Sequence, residues 1–436
     1  MNARYPAINN QLFIENRKRY VAELKPNSIA IFNANDVMPT NADGTMPFKQ
    51  NADLFWLSGI DQEETILVLF PNAKDGVHKE VLFLRETNEH IAVWEGHKYT
   101  MEEARATSGI QKIYWFKDFA TIINTLMCET EHVYLNTNEH IRAVVEVETR
   151  DARFAKDCKE KYPMHKYERS APIMHKLRAI KNHYEIEQMQ KACDLTEKGF
   201  RRLLGFIKPG VKEYEIEAEL AHEFIRHGSN FAGYQPIIAS GPNACILHYN
   251  INKDTCKDGD VLLMDFAAGW ANYQSDLTRC VPVNGKFTPR QKDVYNAVLR
   301  VMKAATKMLV VGNNITHYHA EVGKVMEKEL IGLGLLNADE VAKQDPAKPL
   351  YKEYFMHGTS HFLGLDVHDV GNRFEPFKAG MVFTCEPGIY IPEEALGIRL
   401  ENDVLITEQG PVDLMKNIPL EVEEIEALMK TQAVTA

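Results

Sequence analysis

Short apolar runs bounded by turn residues alternate with amphipathic stretches from about Phe13 onward. Ser28–Phe32, Thr65–Phe70 and Val81–Leu84 have strand length and are closed by punctuation such as Pro71-Asn72. Met101–Ser108 and Phe119–Met127 carry helical spacing. The alternation predicts an α/β domain. Tyr162–Ile180 then turns basic and irregular, with Pro163 and Pro172, and the boundary is placed near Ala171. The expected domains are residues 1–171 and 172–436.

Beyond the boundary, Asn182–Leu204 places Ile186, Met189, Ala192 and Leu195 on one helical stripe. Tyr214–His227 reads as a second helix, and Pro209-Gly-Val-Lys212 between them as a turn. Tyr234–His248 contains the turn cluster Ala239-Ser-Gly-Pro-Asn243. His248 follows two apolar residues, as at a strand end facing a cleft. Asp258-Gly-Asp260 is a tight turn before the apolar strand Val261–Ala268, and Gly269–Asn272 is expected to close a hairpin. Met381–Gly388 and Gly397–Thr407 are further apolar strands.

The chain has 436 residues, 45% of them hydrophobic and 25% charged, as in ordinary globular proteins. Its net charge of −11 argues against a nucleic-acid partner. Seven cysteines without a C-x-x-C pair suit reduced thiols in a cytoplasmic protein. Met1–Tyr20 has no apolar core of a signal peptide, and no run approaches the ~18 apolar residues of a membrane span.

Each of the apolar strands carries an acid. Asp265 interrupts Val261–Ala268, Glu386 sits in Met381–Gly388 and Glu401 in Gly397–Thr407, while Asp276 follows the predicted hairpin. A lone buried carboxylate needs a compensating cation. For Asp276 a simple pairing with Arg279 is the alternative. Strand alternation puts Arg399 on the same face as Glu401, suited to steadying ligating carboxylates. The stretch Tyr354–Asp369 adds His357, His361 and His368, with Gly358 and Gly364 letting the backbone approach a ligand closely. Four carboxylates and one imidazole are the donor set of a two-metal site, whose ions lower the pKa of water. Oxygen-rich ligation favours Mn²⁺, with Zn²⁺, Co²⁺ and Fe²⁺ as alternatives. In the N-terminal third no catalytic set stands out, although Pro47–Trp56 and Trp94 are aromatic positions that could line a surface.

The order Asp265, Asp276, His361, Glu386, Glu401 resembles that of the dinuclear metallopeptidases of pita-bread fold. His357–His368, Glu386-Pro-Gly-Ile-Tyr390 and Gly397-Ile-Arg-Leu-Glu401 resemble the signatures of the Xaa-Pro aminopeptidases (aminopeptidase P), as do Ile246–Tyr249 and Leu177–Lys181. The resemblance implies an α/β N-terminal domain plus a pita-bread α+β catalytic domain with a curved antiparallel sheet. It implies that Asp276 and Glu401 bridge two metal ions, that His361 and Glu386 complete one shell and that Asp265 chelates the other ion. Glu386 would be the general base for a metal-bridging hydroxide. His248, His357 and His368 would bind substrate and stabilise the oxyanion, Arg399 would support the ligands, and Tyr390 would line the cleft. The implied substrates are small peptides with proline second. In the family the N-terminal domain mediates oligomerisation, as homodimer or homotetramer, and active-site closure, with Trp94 in a segment that reaches across. The segment Val370–Lys378 is short compared with some members.

A prolidase, acting on Xaa-Pro dipeptides, shares the five ligands; Ser360-His361-Phe362-Leu363 leans toward the aminopeptidase. Methionine aminopeptidases usually lack such an N-terminal domain. Creatinase-like enzymes and non-catalytic peptide-binding relatives typically lose the ligands, and here all five stand.

Overall fold

Six strands form the sheet of the N-terminal unit: β1 (Ser28–Asn33), β2 (Ile66–Leu69), β3 (Glu80–Leu84), β4 (Lys112–Trp115), β5 (His132–Leu135) and β6 (Lys166–Arg169). Their order in this computed structural model is β4-β3-β2-β1-β5-β6. The β1–β2 and β2–β3 pairs are antiparallel and the other three parallel. Every residue of β1 is buried, because the sheet is covered on both faces. Ile29 and Ile31 join Ile66, Val68, Val81, Phe83 and Val133 against Ile123, Leu126 and Met127 of helix Phe119–Met127. A polar pair is buried in the same unit: Asn33 Nδ2 donates to Asp151 Oδ1 at 2.9 Å. Burial pushes the Asp151 carboxyl up to about 7, against the pull of the Asn33 hydrogen bond.

The structure describes residues 4–231 and 233–432; the ends of the expected domains, 1–3 and 433–436, and position 232 lie outside them. The chain divides into units after Arg178, seven residues beyond the expected Ala171. Pro172 reads as a linker signal, but it occupies the first turn of helix Ala171–Arg178, where its missing N–H has no intrahelical partner to lose. Among the described residues no helix is long and apolar enough to cross a membrane.

Among the described residues the second unit has eleven strands: β7 (Asn230–Phe231), β8 (Ile237–Ser240), β9 (Val261–Asp265), β10 (Ala268–Trp270), β11 (Tyr273–Gln274), β12 (Thr278–Pro282), β13 (Val382–Cys385), β14 (Gly388–Ile391), β15 (Leu396–Arg399), β16 (Asn402–Thr407) and β17 (Gly410–Asp413). All their pairings among the described residues are antiparallel. The predicted hairpin is present: β10 pairs with β11 across Ala271-Asn272, both at positive φ (52° and 65°) as a tight two-residue turn requires. Helix His183–Phe206 starts at a reciprocal cap between Asn182 and Glu185 and buries Met189, Ala192 and Leu195. Its Thr196 Oγ1 accepts from Ala268 N at 2.9 Å, which fixes the hairpin to the helix. Helices Pro289–Thr306 and Ile315–Gly332, absent from the sequence-based expectation, pack against each other in the same unit.

Candidate metal centre

The two acid-bearing apolar runs are each broken at their glutamate. β13 ends at Cys385 and β14 begins at Gly388, so Glu386-Pro387 belongs to neither. Opposite them β15 ends at Arg399 and β16 begins at Asn402, leaving Leu400-Glu401. Pairs Cys385↔Asn402 and Gly388↔Arg399 share one register, which sets Glu386 across from Glu401. Proline has no N–H for the ladder, and the freed groups find other partners. Glu386 N donates to Thr359 O at 2.8 Å, and Glu401 N to Thr278 O at 3.1 Å. The ribbon therefore opens here to receive the histidine loop and β12.

Asp265 ends β9, where it pairs with Thr278 of β12. Asp276 lies just before β12, held by its own N–H on Asp403 Oδ2 (3.1 Å) and by Tyr234 Oη on its Oδ1 (2.7 Å). Arg279 is not its partner. That guanidinium is fully buried and donates to Pro419 O, Thr278 O, Glu401 O and Asn402 Oδ1.

His361 presents Nε2 at 3.5 Å from Asp276 Oδ2 and 3.7 Å from Glu386 Oε1, while its Nδ1 faces Phe362 O at 3.0 Å. One ligand atom each from Asp276, His361 and Glu401 lie within 4.8 Å of one another. Glu386 borders this triad through His361, and Asp265 through the charge it exerts on Glu386 and Glu401. Burial raises the carboxyls of Asp265 and Glu401 and pushes Glu386 up to about 7. Burial alone would lower His361, but Asp276 and Glu386 raise it to about 9. Asp265 Oδ1 and Glu401 Oε1 are buried without a hydrogen-bond partner. Packed carboxylates with orphaned oxygens and an imidazole aimed at them fit a divalent cation bound by oxygen and nitrogen.

Arg399, 4% exposed, braces the site. Its Nη2 donates to Asp265 Oδ2 (2.6 Å), its Nε to Thr278 Oγ1 (3.0 Å) and its Nη1 to Tyr390 Oη (3.0 Å). Arg399 can only donate, and the Gly358 carbonyl at one end and the Glu401 carboxylate at the other accept, which together set the direction of both chains. Thr278 Oγ1 donates onward to Glu401 Oε2 at 2.7 Å, and Tyr390 Oη to His357 Nε2 at 2.8 Å. His357 then carries its proton on Nδ1, toward Gly358 O at 2.8 Å. Burial first, and Arg399 next, push its pKa down to about 3, so the ring is neutral.

His368 is exposed, its ring edge-on to His361 at 4.5 Å between centroids. His248 is also exposed; it sits in a turn after the short 3₁₀ helix Gly241–Cys245, where a strand end was expected, and lies near enough for its charge to lower His357. Trp94 is on helix Glu89–Glu95 of the N-terminal unit, 77% exposed. Gly364 makes its close approach to protein, not to a ligand site: a Cβ there would stand 2.1 Å from Asp369 Oδ2.

Thr278, Tyr234 and Asp403 escaped the sequence reading. Thr278 had a signal, since alternation from Asp276 puts it on the same face. Asp403 repeats the pattern of an acid in an apolar strand. Tyr234 has no local mark.

The profile described as Metallopeptidase family M24 matches residues 187–408, and that of the aminopeptidase P N-terminal domain matches 13–134. The Xaa-Pro aminopeptidase of Escherichia coli is 34% identical over 97% of this chain and 98% of its own. Among solved structures, Pseudomonas aeruginosa aminopeptidase PepP superposes with a TM-score of 0.89 at 31% identity, covering 98% of this chain and 99% of that one. Zinc-substituted E. coli aminopeptidase P in complex with product gives 0.86 at 32% identity, with coverage of 98% and 99%.

Proposed function

The chain belongs to metallopeptidase family M24, preceded by the N-terminal domain of aminopeptidase P, and from that premise we propose that it is a metal-dependent Xaa-Pro aminopeptidase. It is a hydrolase that releases the N-terminal residue of peptides with proline second. The observation that carries this is the triad Asp276, His361 and Glu401 within 4.8 Å, with Glu386 against His361 and with Glu401 Oε1 and Asp265 Oδ1 buried and orphaned.

The five predicted ligands would hold two divalent ions, with Mn²⁺ favoured by the oxygen-rich set. Bound ions would polarise the scissile carbonyl and bring the pKa of water toward neutrality. Glu386, beside His361 Nε2 at 3.7 Å, is placed to accept a proton from the attacking water and return it to the leaving nitrogen. Tyr234 and Asp403 hold Asp276 in place, and Thr278 holds Glu401. His248 and His368 stand at the open side, where their N–H groups would meet the substrate and the developing oxyanion; His357 anchors that side through Tyr390. The leaving group is an imide nitrogen without N–H, so selectivity falls on a pocket for the ring rather than on a hydrogen bond. Unpaired thiols at all seven cysteines suit a cytoplasmic enzyme. Exposed Trp94, Ile141, Val144 and Val147 suit a homodimer or homotetramer through the N-terminal unit.

The deciding experiment is hydrolysis of a peptide panel after Mn²⁺ reconstitution. Tripeptides with proline second should be cut and their alanine counterparts left intact. Cleavage of Xaa-Pro dipeptides alone would replace this reading with a prolidase. Asp276→Ala should lose both activity and bound metal; full activity with metal retained would contradict the bridging assignment.

A further inference from the structure

Glu213 is the first residue of helix Glu213–Arg226 and is 0% exposed. Its carboxylate accepts four hydrogen bonds from a single stretch of chain. Oε1 receives Ser240 N (2.9 Å) and Asn243 Nδ2 (3.1 Å); Oε2 receives Tyr249 Oη (2.7 Å) and Asp254 N (2.9 Å). Its backbone N–H donates to Asp254 O at 3.0 Å, closing the same stretch from the other side. An ionised carboxylate has acceptor sites only, about four of them, and here each meets a donor.

The stretch so gathered, 240–254, has little regular structure. It is a 3₁₀ turn over Gly241–Cys245 followed by turns, and from residue 241 on it has no strand ladder to set its position. Asn243 Nδ2 adds a bond to Asp254 Oδ2 at 2.8 Å, across the two ends. Tyr249, 6% exposed, is the one residue of its middle that reaches Glu213, while its neighbour His248 is exposed and near enough for its charge to act on His357. We propose that Glu213 is a positioning residue of the reaction: through Tyr249 and the two ends of the stretch it fixes the place of the His248 ring. This rests on the assignment of His248 to substrate.

The test is a double-mutant cycle on the metal-reconstituted enzyme, using a tripeptide with proline second. Glu213→Gln keeps the shape but sets an NH₂ against two donors. It should lower kcat/KM about tenfold in the native background and less than about twofold in His248→Ala, because contacts in one network do not add. Metal content should be unchanged in both. Equal losses in the two backgrounds, or loss of metal from Glu213→Gln, would overturn the proposal while leaving His248 in its role. Full activity of His248→Ala would remove that role, and the proposal with it. Should Glu213→Gln fail to fold, Tyr249→Phe runs the same cycle with one bond deleted. It is expected to cost about threefold alone and nothing beside His248→Ala; equal costs would again overturn the proposal.

Discussion

Asp151 shows what one buried carboxyl does to the stability of its unit. Its pKa in the fold is raised to about 7 by burial. A carboxyl raised on folding contributes stability below its unfolded value of ~4, and that contribution is lost as pH rises through the folded value. Between pH 5 and 8 the N-terminal unit should therefore lose stability on the order of 1–3 kcal/mol from this residue. Asp151→Asn keeps an oxygen for Asn33 Nδ2 and removes the charge; thermal unfolding across that range should flatten, and an unchanged slope would refute the assignment. Thr278 makes a second prediction at this scale. Thr278→Val deletes the hydroxyl that accepts from Arg399 and donates to Glu401. Metal affinity should fall ~10–100-fold, as for other residues that orient ligands, with little change in the fold. Titration with Mn²⁺ would measure it. At this scale the sequence was informative where a charge contradicts its surroundings. Asp265, Glu386 and Glu401 are conspicuous in apolar strands, while Tyr234 looks like any aromatic and gains its meaning only from the turn that carries it.

The elements were legible where periodicity is long and unbroken, as in His183–Phe206 and Phe119–Met127, and misread where function interrupts it. Met381–Gly388 and Gly397–Thr407 read as two continuous strands, but each is split at its glutamate, and a local pattern of alternation does not see a break imposed by the partner strand. The central histidine stretch is irregular because its backbone bonds go outward, Leu363 N to Val382 O and Glu386 N to Thr359 O among them. Close packing of elements makes the third prediction. A Cβ on Gly397 of β15 would lie 2.2 Å from Ala244 O in the 3₁₀ turn that precedes His248. Gly397→Ala should displace that turn or β15, costing ~1–3 kcal/mol in denaturant unfolding and lowering activity more than stability. An innocuous Gly397→Ala would mean the two elements are not held at this spacing.

For the molecule as a whole, the site opposes the folding that builds it. Asp265, Glu386 and Glu401 all have raised carboxyls, so the metal-free protein loses stability as pH climbs from ~5 toward 8. Bound cations reverse this, because they hold the acids ionised and stabilise the folded state by mass action. Chelation should therefore lower Tm at both pH values and by more at pH 8; an equal drop would show that the acids are not facing one another as described. A division into two units was readable from composition shifts, although it falls after Arg178 and not near Ala171, and charges out of place pointed to Asp276, His361 and Glu401, which the fold gathers within 4.8 Å. The helices Pro289–Thr306 and Ile315–Gly332 went unread although they pack against each other. The doubled interruption of the ribbon carries a lesson for protein engineering. Copying two glutamates onto facing positions of an intact hairpin would yield only repulsion between them. A graft of this centre has to import Pro387 and the break around it too, since there the N–H groups of Glu386 and Glu401 turn to Thr359 and Thr278 instead of to each other's strand.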